Sequence, residues 1–585
     1  MNNRFLRLVI AFAFLLATNL MAAEHYDVEI ERGVGVKMRD GVMLRADIYR
    51  PNSDGRFPVL LQRTPYNKAV CDFCLRAAAR GFVAIIQDVR GRYTSEGDWY
   101  PFKNESNDGY DTVEWAAALA YSDGKVGMWG GSYVGATQML TAIASPPHLA
   151  GIFPFDTASN YHDGWTYQSG AFEQWFNESW TSGLAQDTLN RRVAHGTNAM
   201  HWAEILPLAD YPLLRLGGHA RLGQLAPYFL DWLAHPAYDD YWKRWSIEEH
   251  FANIRVPVYS VGAWYDIFLG GTLRNYLGIK AHGGTEAART GGRLLMMIGG
   301  HAGSGRKIGA LDFGPSAELD SDALMLDWYE TLLKGKAHGV EQQKPVKIFV
   351  MGENVWREED AWPPARAVST RYYIHSDGNA NSLRGNGTLD TATPGDEKPD
   401  RYTVDPADPV PTIGGPLCCD AAHLAPGPRD QRPAEARDDV LVYTTPPFEK
   451  DFEVTGPVSL DLYAGSSSVD TDFTGKLVDV WPNGFAQNLT EGILRARYRN
   501  SQEKAEFMNP GGIYKLTLDL WATSNVFRAG HRLRLEVSSS NFPRFDRNLN
   551  TGEEPESGKH FVKATNTIYH DREHPTALVL PVIPR

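Results

Sequence analysis

Residues 127–135 read Gly127-Met128-Trp129-Gly130-Gly131-Ser132-Tyr133-Val134-Gly135, and helix-compatible residues 136–144 follow at once. An apolar run that ends in a glycine-flanked serine and passes directly into a helix is typical of a nucleophile elbow. The strained turn exposes the serine hydroxyl, and only small neighbours tolerate such a turn. The segment therefore predicts Ser132 as the nucleophile of an α/β-hydrolase fold. The next glycine stands three residues after Ser132 instead of two, so a helix-capping loop is the alternative interpretation.

Two later predicted strands end in the residues that a serine nucleophile needs. Residues 256–263 favour a strand and lead to Asp266, and the apolar run 294–298 leads to His301. Because α/β sheets carry their chemistry at the carboxyl ends of the strands, both side chains are expected beside the elbow. The order Ser132, Asp266, His301 is that of the α/β-hydrolase fold. We therefore predict these three residues as a catalytic triad.

Asp156 is a second candidate for the acid of this triad. It follows the predicted strand 151–155, which is the next strand after the elbow helix. We favour Asp266 because its strand immediately precedes the strand that carries His301. Taken singly, either aspartate has an ordinary explanation as a turn former or a helix cap.

The loop after the early predicted strand 57–63 is the expected place for part of the oxyanion site. One donor in this fold is the backbone N–H of the residue after the nucleophile, here Tyr133, and the other comes from this loop. The loop has no run of glycines, but it contains Tyr66, whose phenol can donate a hydrogen bond. From the residues alone, a packing or lid role is the alternative for Tyr66.

These motifs together resemble those of the CocE/NonD family (cocaine esterase and X-Pro dipeptidyl-peptidase-like serine hydrolases), which includes α-amino-acid ester hydrolases and glutaryl cephalosporin acylases. The segments that carry the resemblance are residues 65–66, 87–97, 130–135, 262–266 and 299–301. The resemblance implies an α/β-hydrolase domain followed by a β-domain, and hydrolysis through an acyl-enzyme. It also implies an oxyanion role for Tyr66.

The pattern along the chain predicts two domains. In residues 24–345, apolar strands alternate with helices, which predicts the mainly parallel sheet of an α/β-hydrolase domain. Short strands separated by turns fill residues 346–585 and predict an all-β, jelly-roll-like sandwich. Within it, residues 380–437 are rich in Gly, Pro and Asp, and we expect them to form a long surface excursion.

Residues 157–250 interrupt this alternation and predict a helical cap over the catalytic face. The insertion is rich in Trp and Tyr and falls between the predicted nucleophile and acid. We expect three aromatic residues in or near this insertion to bind substrate. Two are Trp165 and Trp175, which come soon after the chain leaves the sheet. The third is Phe268, two residues beyond the predicted acid. Packing of one helix against another is the alternative role for such aromatic side chains.

The first 23 residues have the pattern of a signal peptide. Arg4 and Arg7 precede the apolar run 8–16, which is too short to span a membrane comfortably. Small residues then stand before the polar residues 24–27. We predict an exported protein, periplasmic or secreted, without stable membrane association after cleavage; an uncleaved anchor is the alternative.

Charge and composition restrict the kinds of partner and cofactor that we expect the protein to bind. The formal net charge of −13 argues against a nucleic-acid partner. The sequence has no glycine-rich phosphate loop, and no paired His/Cys spacing suggests a catalytic zinc site, so neither a cofactor nor a catalytic metal is expected. Asp470, Asp472 and Asp479 could bind calcium, but nearby Arg495, Arg497 and Arg499 favour salt bridges.

The four cysteines form two close pairs, Cys71 with Cys74 and Cys418 with Cys419. An export signal permits disulfides. We expect structural thiols or one structural bridge, because the C-x-x-C pair lacks the thioredoxin-like context that a redox role needs. The sequence does not specify which cysteines pair.

The predicted function is hydrolysis of a small carboxylic ester or amide by an exported serine hydrolase. X-Pro dipeptidyl-peptidase and α-amino-acid ester hydrolase or acyltransferase activities are the enzymatic alternatives. Recognition of a free α-amino group needs carboxylates, for which the cap offers Asp239, Asp240, Glu248 and Glu249. The alternative from another class is a β-sandwich binding protein with an inactive hydrolase domain. The oligomeric state stays open, with a homo-oligomer as one option.

Overall fold

The computed structural model describes residues 25–196, 225–301, 303–554 and 557–585. The predicted signal peptide lies outside these residues, and the predicted cap lies partly outside them. Within the described ranges, no helix combines the length and the apolar character that a membrane span requires.

The N-terminal part of the described chain contains, in order, strands β1 (Val28–Lys37), β2 (Met43–Pro51), β3 (Phe57–Thr64), β4 (Val83–Asp88), β5 (Ser122–Gly131), β6 (Leu149–Phe155), β7 (Tyr167–Gln168), β8 (Ala171–Phe172), β9 (Tyr259–Tyr265), β10 (Arg293–Gly300), β11 (Gly303–Ser304), β12 (Lys307–Ile308), β13 (Leu311–Asp312), β14 (Val346–Val350) and β15 (Val355–Glu359). Its α-helices are α1 (Asp72–Ala79), α2 (Glu105–Ala117), α3 (Tyr133–Ile143), α4 (Gln174–Gly196), α5 (Pro227–Ala234), α6 (Asp240–Lys243), α7 (Leu269–His282), α8 (Glu286–Thr290) and α9 (Ser321–Lys334).

These strands build one large, mostly parallel sheet in the order β1-β2-β4-β3-β5-β6-β9-β10-β14-β15, with β11 against β10. The strands from β4 to β14 in this order are paired in parallel, whereas β1, β2 and β15 are antiparallel at the edges. Neighbouring residues of β3 enter different cores, Leu61 on one face and Leu60 on the other. Such two-sided burial is typical of a parallel sheet covered on both faces. The predicted α/β-hydrolase fold is confirmed.

The first sheet continues past the domain boundary that we expected at residue 345. β14 pairs in parallel with β10, where Val346 lies opposite Leu294, and β15 adds an antiparallel edge. The expected assignment of residues 346–351 to the sandwich is therefore corrected, because this strand completes the first sheet. A short buried strand has the same apolar pattern in both kinds of domain, so its periodicity could not assign it.

The helical insertion lies between β6 and β9, as predicted, and its described helices are α4, α5 and α6. Its aromatic side chains pack extensively on one another. The rings of Trp180 and Trp232 stack with centroids 6.2 Å apart, and Trp232 lies 6.3 Å from Trp242. All three side chains are buried. Helix-to-helix packing is therefore one role of these aromatic residues.

The C-terminal part of the described chain contains strands β16 (Val368–His375), β17 (Thr388–Asp390), β18 (Asp400–Val404), β19 (Leu441–Thr444), β20 (Phe452–Ser466), β21 (Asp472–Val480), β22 (Ala486–Arg495), β23 (Tyr514–Phe527), β24 (Arg532–Ser538), β25 (Ala564–Tyr569) and β26 (Ala577–Ile583), with helix α10 (Arg432–Glu435). They join in the order β18-β25-β20-β26-β16-β17-β19-β24-β21-β22, with β23 against β20. Apart from β17 with β19, the pairs formed by these described strands are antiparallel. The predicted all-β domain is confirmed.

The segment 380–437 is more than the surface excursion that we expected. It contains β17, β18 and α10, and it buries Asp400 and Glu435 completely. The expectation is corrected, because polar composition alone does not distinguish a solvated loop from one whose polar groups are paired inside a domain.

The two domains share one hydrophobic core at the end of β9. Trp264 and Tyr265 belong to the same buried cluster as Leu460 of the C-terminal domain. The Trp264 indole donates to the Phe349 carbonyl at 2.7 Å, and the Tyr265 hydroxyl donates to the Asn488 carbonyl at 2.8 Å. The residues that immediately precede Asp266 are therefore held by both β14 and the C-terminal domain.

The three aspartates considered for calcium are engaged by basic side chains. Arg497 pairs with Asp470 at 2.8 Å, and Arg495 pairs with Asp472 at 2.9 Å. His531 Nδ1 lies 2.8 Å from a carboxylate oxygen of Asp479. The prediction of salt bridges with arginine is confirmed for Asp470 and Asp472, whereas Asp479 has a histidine as its partner.

Both cysteine pairs are disulfides. Cys71 is bonded to Cys74, and Cys418 is bonded to its neighbour Cys419. We expected one bridge at most, and the structure has two. Cys71 also caps α1, because its sulfur accepts a hydrogen bond from the Cys74 backbone N–H.

A buried histidine in the C-terminal domain makes stability depend on pH. His570 is fully buried, with Nε2 at 2.9 Å from Asp400 and Nδ1 at 3.1 Å from Glu397. Burial alone lowers the pKa of His570, but the hydrogen bond and charge of Asp400, followed by those of Glu397, outweigh it and raise the pKa above its usual value.

We expect His570→Gln to destabilise the protein by about 3 kcal/mol at pH 6, since it leaves the buried carboxylate of Asp400 without its cation. A raised pKa means that the His570 contribution is complete below the unfolded value of about 6.5 and is lost as pH rises through the folded pKa. The difference between variant and wild type should therefore shrink towards pH 9, as measured by urea unfolding. His560→Gln, at a histidine whose side chain is 85% exposed, is the control. Parallel pH profiles for wild type and His570→Gln would contradict the prediction.

Candidate active site

Ser132 stands at a strained turn between β5 and α3. Its backbone has φ 61° and ψ −128°, a conformation that side-chain-bearing residues rarely adopt. A Cβ at Gly130 would lie 2.3 Å from the Val134 side chain, and one at Gly135 would lie 2.8 Å from Thr157 Cβ. Steric crowding therefore explains both the glycine before the nucleophile and the displaced glycine after it. The structure forms the elbow that the segment 127–135 predicts.

The structure brings Ser132, His301 and Asp266 together in one hydrogen-bonded series. His301 Nε2 lies 2.9 Å from Ser132 Oγ, and His301 Nδ1 lies 2.7 Å from Asp266 Oδ1. Asp266 is completely buried, and the His301 side chain is 6% exposed. Because a carboxylate only accepts, Nδ1 carries the hydrogen and Nε2 is free to take the serine proton.

Asp156, the alternative acid, lies beside this series but is not part of it. One ligand atom from each of Asp156, Asp266 and His301 lies within 4.8 Å of the others. The hydrogen bond of 2.7 Å to His301 Nδ1 is made by Asp266. The geometry therefore assigns the histidine-orienting position to Asp266.

Two hydrogen-bond donors converge beside Ser132 Oγ. Interactions with the Ser132 side chain and the Tyr133 backbone N–H oppose the rise in the pKa of the Tyr66 hydroxyl, so both groups lie close to the phenol oxygen. Tyr133 begins α3, so its N–H has no intrahelical partner. Its own side chain points elsewhere, since its hydroxyl donates to Glu105. Tyr133 therefore offers its backbone to this site and Tyr66 offers its phenol.

The Tyr66 phenol remains protonated over a wide pH range. Although 40% of the residue surface is exposed, desolvation of the hydroxyl raises its pKa. The hydrogen bonds with Trp180 and Ser132 and the charge of Arg92 oppose this shift without cancelling it. A protonated phenol is the form that can donate to a developing oxyanion.

Aromatic side chains wall the space beside the triad. Trp165 stacks on Phe268 with ring centroids 4.5 Å apart, and Phe268 lies edge-on to His301 at 5.1 Å. Phe176 lies 5.4 Å from Trp165, and Trp180 lies 5.6 Å from it. Two of the three expected substrate-binding residues, Trp165 and Phe268, therefore meet at the site.

The third expected residue, Trp175, is not among these walls. In the described part of the chain it has no ring-ring contact, and its backbone N–H donates to the Pro543 carbonyl at 3.0 Å. Phe176 and Trp180 face the site instead, because residues four apart share one side of a helix and Trp175 lies on another. The signal that could have found them was this spacing within α4.

Arg92 is a further residue that the sequence analysis did not single out. It is 1% exposed, and its guanidinium donates to the Pro65 carbonyl at 2.9 Å and to the Leu184 carbonyl at 3.0 Å. It therefore joins the Tyr66 loop to the cap helix α4. The sequence feature that could have identified Arg92 is its position in the segment 87–97, between β4 and α2.

A serine, a histidine and an aspartate in hydrogen-bonded series at the carboxyl edge of a parallel sheet define a serine hydrolase. Comparison with known proteins agrees. Residues 40–303 match the X-Pro dipeptidyl-peptidase (S15 family) profile, and residues 338–579 match that of the X-Pro dipeptidyl-peptidase C-terminal non-catalytic domain. The cocaine esterase of Rhodococcus sp. (strain MB1 Bresler) is 36% identical over an alignment that covers 95% of this chain and 99% of that protein.

Two solved structures resemble the whole chain. An aminopeptidase from a marine sediment archaeon, Thaumarchaeota archaeon, is 26% identical with a TM-score of 0.78 and covers 97% of this chain and 98% of its own. An α-amino acid ester hydrolase is 25% identical, also with a TM-score of 0.78, and the match covers 97% of this chain and 99% of that one. The chain belongs to the CocE/NonD and S15 family of serine hydrolases, which act on esters or amides.

Proposed function

We propose that the chain is an exported esterase that cleaves carboxylic esters with a bulky apolar acyl group through an acyl-enzyme on Ser132. His301 Nε2 takes the serine proton while Oγ attacks the ester carbonyl, and Asp266 stabilises the imidazolium. The tetrahedral oxyanion accepts hydrogen bonds from the Tyr66 hydroxyl and the Tyr133 N–H. His301 then protonates the leaving alcohol, and water attacks the acyl-enzyme by the same route. The hydrogen bond of 2.9 Å between His301 and Ser132 carries this proposal.

The aromatic walls support an apolar acyl group. Trp165 and Phe268 are completely buried, and Phe176 is 3% exposed. These rings already pack on one another, and the apolar surroundings that they give the triad favour an apolar acyl group over a charged one. The relative named as a cocaine esterase is consistent with an ester substrate.

The four cap carboxylates that the sequence offered for a free α-amino group do not support its recognition. Three of the four candidates already have partners: Asp239 pairs with His235, Glu248 with Arg274 and Glu249 with Tyr238. The fourth, Asp240, begins α6 at an exposed position. Three of these four carboxylates are therefore already engaged, which favours esterase over aminopeptidase activity.

A panel of p-nitrophenyl acetate, butyrate and benzoate, an alanyl-prolyl p-nitroanilide and an α-amino ester tests the substrate class. We expect kcat/KM for the benzoate to exceed that for the acetate by about 10-fold or more, since each added apolar contact is worth about 1 kcal/mol or more. Little turnover is expected of the anilide and the α-amino ester. A clear preference for either of those two would contradict the proposal.

Export is the second part of the proposal. The pattern of residues 1–23 and the two disulfides support an oxidising compartment outside the cytoplasm. Cell fractionation followed by N-terminal sequencing tests it, and we expect a periplasmic or secreted product shortened by about 23 residues. An unprocessed cytoplasmic product would contradict export.

We expect Tyr66→Phe to lower kcat by about 10²–10³-fold with little change in KM. The substitution keeps the ring and removes one donor, which matters mainly when charge develops on the carbonyl oxygen. Steady-state kinetics with the preferred ester checks this. If KM rises while kcat stays unchanged, Tyr66 is a pocket wall and the second oxyanion donor lies elsewhere.

A further inference from the structure

A tryptophan of the cap forms a hydrogen bond with the Tyr66 phenol. Trp180 Nε1 donates to the Tyr66 hydroxyl oxygen at 3.0 Å. An indole N–H only donates, so the phenol oxygen must be the acceptor of this bond. The single O–H of Tyr66 then points away from the indole, and its other neighbours are the Ser132 side chain and the Tyr133 N–H. The bond with Trp180 therefore selects the orientation in which Tyr66 can donate to an oxyanion.

The indole of Trp180 is held firmly in place. It is 5% exposed, and its ring stacks on Tyr133 and Trp232 at centroid distances of 5.9 and 6.2 Å. The neighbouring indole of Trp165 provides a contrast. Its Nε1 is buried and has no hydrogen-bond partner among the residues that the structure describes. Of these two adjacent tryptophans, Trp180 is therefore the one whose N–H is bonded to the Tyr66 phenol.

A second bridge joins the same two elements. Arg92 holds the carbonyl of Pro65 with its Nε and that of Leu184 with its Nη1. Pro65 precedes Tyr66, and Leu184 lies one helical turn after Trp180 on α4. The start of α4 is in turn bonded to the C-terminal domain, through the Trp175 N–H and the Pro543 carbonyl. Helix α4 therefore links the C-terminal domain to the Tyr66 loop.

We propose that Trp180 is a positioning residue for the oxyanion site, which aims and polarises the Tyr66 hydroxyl from the cap. A phenol oxygen that accepts a hydrogen bond becomes a stronger O–H donor, and a fixed hydroxyl costs no reorientation when charge develops. Cap and oxyanion site are thereby coupled, so that an ordered α4 is needed for full activity. This inference rests on the oxyanion role of Tyr66 in the proposed function.

The test is a double-mutant cycle between Trp180 and Tyr66. We expect Trp180→Phe, which keeps an aromatic ring and removes the N–H, to lower kcat about 10-fold with a smaller change in KM. In the Tyr66→Phe background the same substitution should cost nothing further in kcat, because the hydroxyl on which it acts is gone. Benzothienylalanine at position 180, which replaces the N–H by sulfur at nearly constant shape, should reproduce the loss if Trp180→Phe disturbs folding.

Two readouts keep this test independent of the substrate assignment. The cycle is measured with the preferred ester and also as the rate at which a fluorophosphonate probe labels Ser132, which requires no known substrate. If no ester in the panel is turned over but labelling shows the coupling, the proposed substrate class fails and the role of Trp180 stands. If the esters are turned over but the coupling is absent, the proposed substrate class stands and the role of Trp180 fails.

Trp165→Phe is the matched control, since it removes a buried indole whose N–H has no described acceptor. We expect it to act mainly on KM and to have the same effect with and without the Tyr66 hydroxyl. The inference is overturned if the Trp180 and Tyr66 effects on kcat and on labelling multiply, or if Trp180→Phe changes KM alone. Either result would make Trp180 a wall of the acyl pocket.

Discussion

Asp266→Asn is expected to lower kcat by roughly 10⁴-fold in a protein that still folds. Asp266 is fully buried and bonded to His301 Nδ1 at 2.7 Å, so its carboxylate determines which ring nitrogen carries the hydrogen. An asparagine amide can direct an N–H at Nδ1, which moves the hydrogen to Nε2. His301 then cannot accept the proton of Ser132. Steady-state kinetics with the preferred ester, together with thermal unfolding, measures both halves of this expectation.

Asp156→Asn is the matched control for that experiment. Asp156 is also buried and also follows a strand of the same sheet, but the short hydrogen bond to His301 Nδ1 is made by Asp266. We expect its replacement to lower kcat by less than about 10-fold, since it leaves the tautomer unchanged. If Asp156→Asn lowers kcat severely while Asp266→Asn lowers it only slightly, Asp156 is the catalytic acid of the triad.

Ser132→Ala is expected to lower kcat by at least ~10³-fold and to abolish labelling by a fluorophosphonate probe. The hydroxyl is the only group lost, and alanine can occupy the same strained turn at a similar cost. The unfolding transition should therefore stay close to that of the wild type. Mass spectrometry of the labelled wild type should locate the probe on Ser132.

Ser53→Ala serves as the control for this variant, since Ser53 lies in an exposed turn after β2. Its kinetics and labelling should equal those of the wild type. Probe attached to another residue of the wild-type protein, or substantial ester turnover by Ser132→Ala, would remove Ser132 from the role of nucleophile.

Local sequence patterns were sufficient to predict the two-domain architecture. The alternation of apolar strands and helices predicted the first sheet, and short strands between turns predicted the C-terminal β-domain, because these patterns reflect which faces each element buries. The same reasoning failed at β14, residues 346–350. A buried parallel strand and a buried sandwich strand present similar side chains, and only pairing with β10 distinguishes them.

Side-chain contacts within the cap could not be predicted from the sequence. Residues 157–250 are recognisable as an aromatic insertion, but the residue pattern does not show which face of α4 meets the site, so it predicts Trp175 where the structure has Phe176 and Trp180. That face depends on how the helix is rotated against the sheet and the C-terminal domain. The Trp175 N–H bond to Pro543, which joins residues far apart in the chain, is one of the contacts that orient it.

The sequence by itself determined the elbow at Ser132, the order of nucleophile, acid and histidine, and the Tyr66 loop, because each depends on residue types and short-range turns. Only the tertiary structure showed the hydrogen bond of Asp266 to His301, and only it joined Trp180 to Tyr66. Both aspartates follow neighbouring strands of one sheet, so their local patterns are equivalent. Distances between side chains of different strands and helices depend on how those elements pack, which no local pattern specifies.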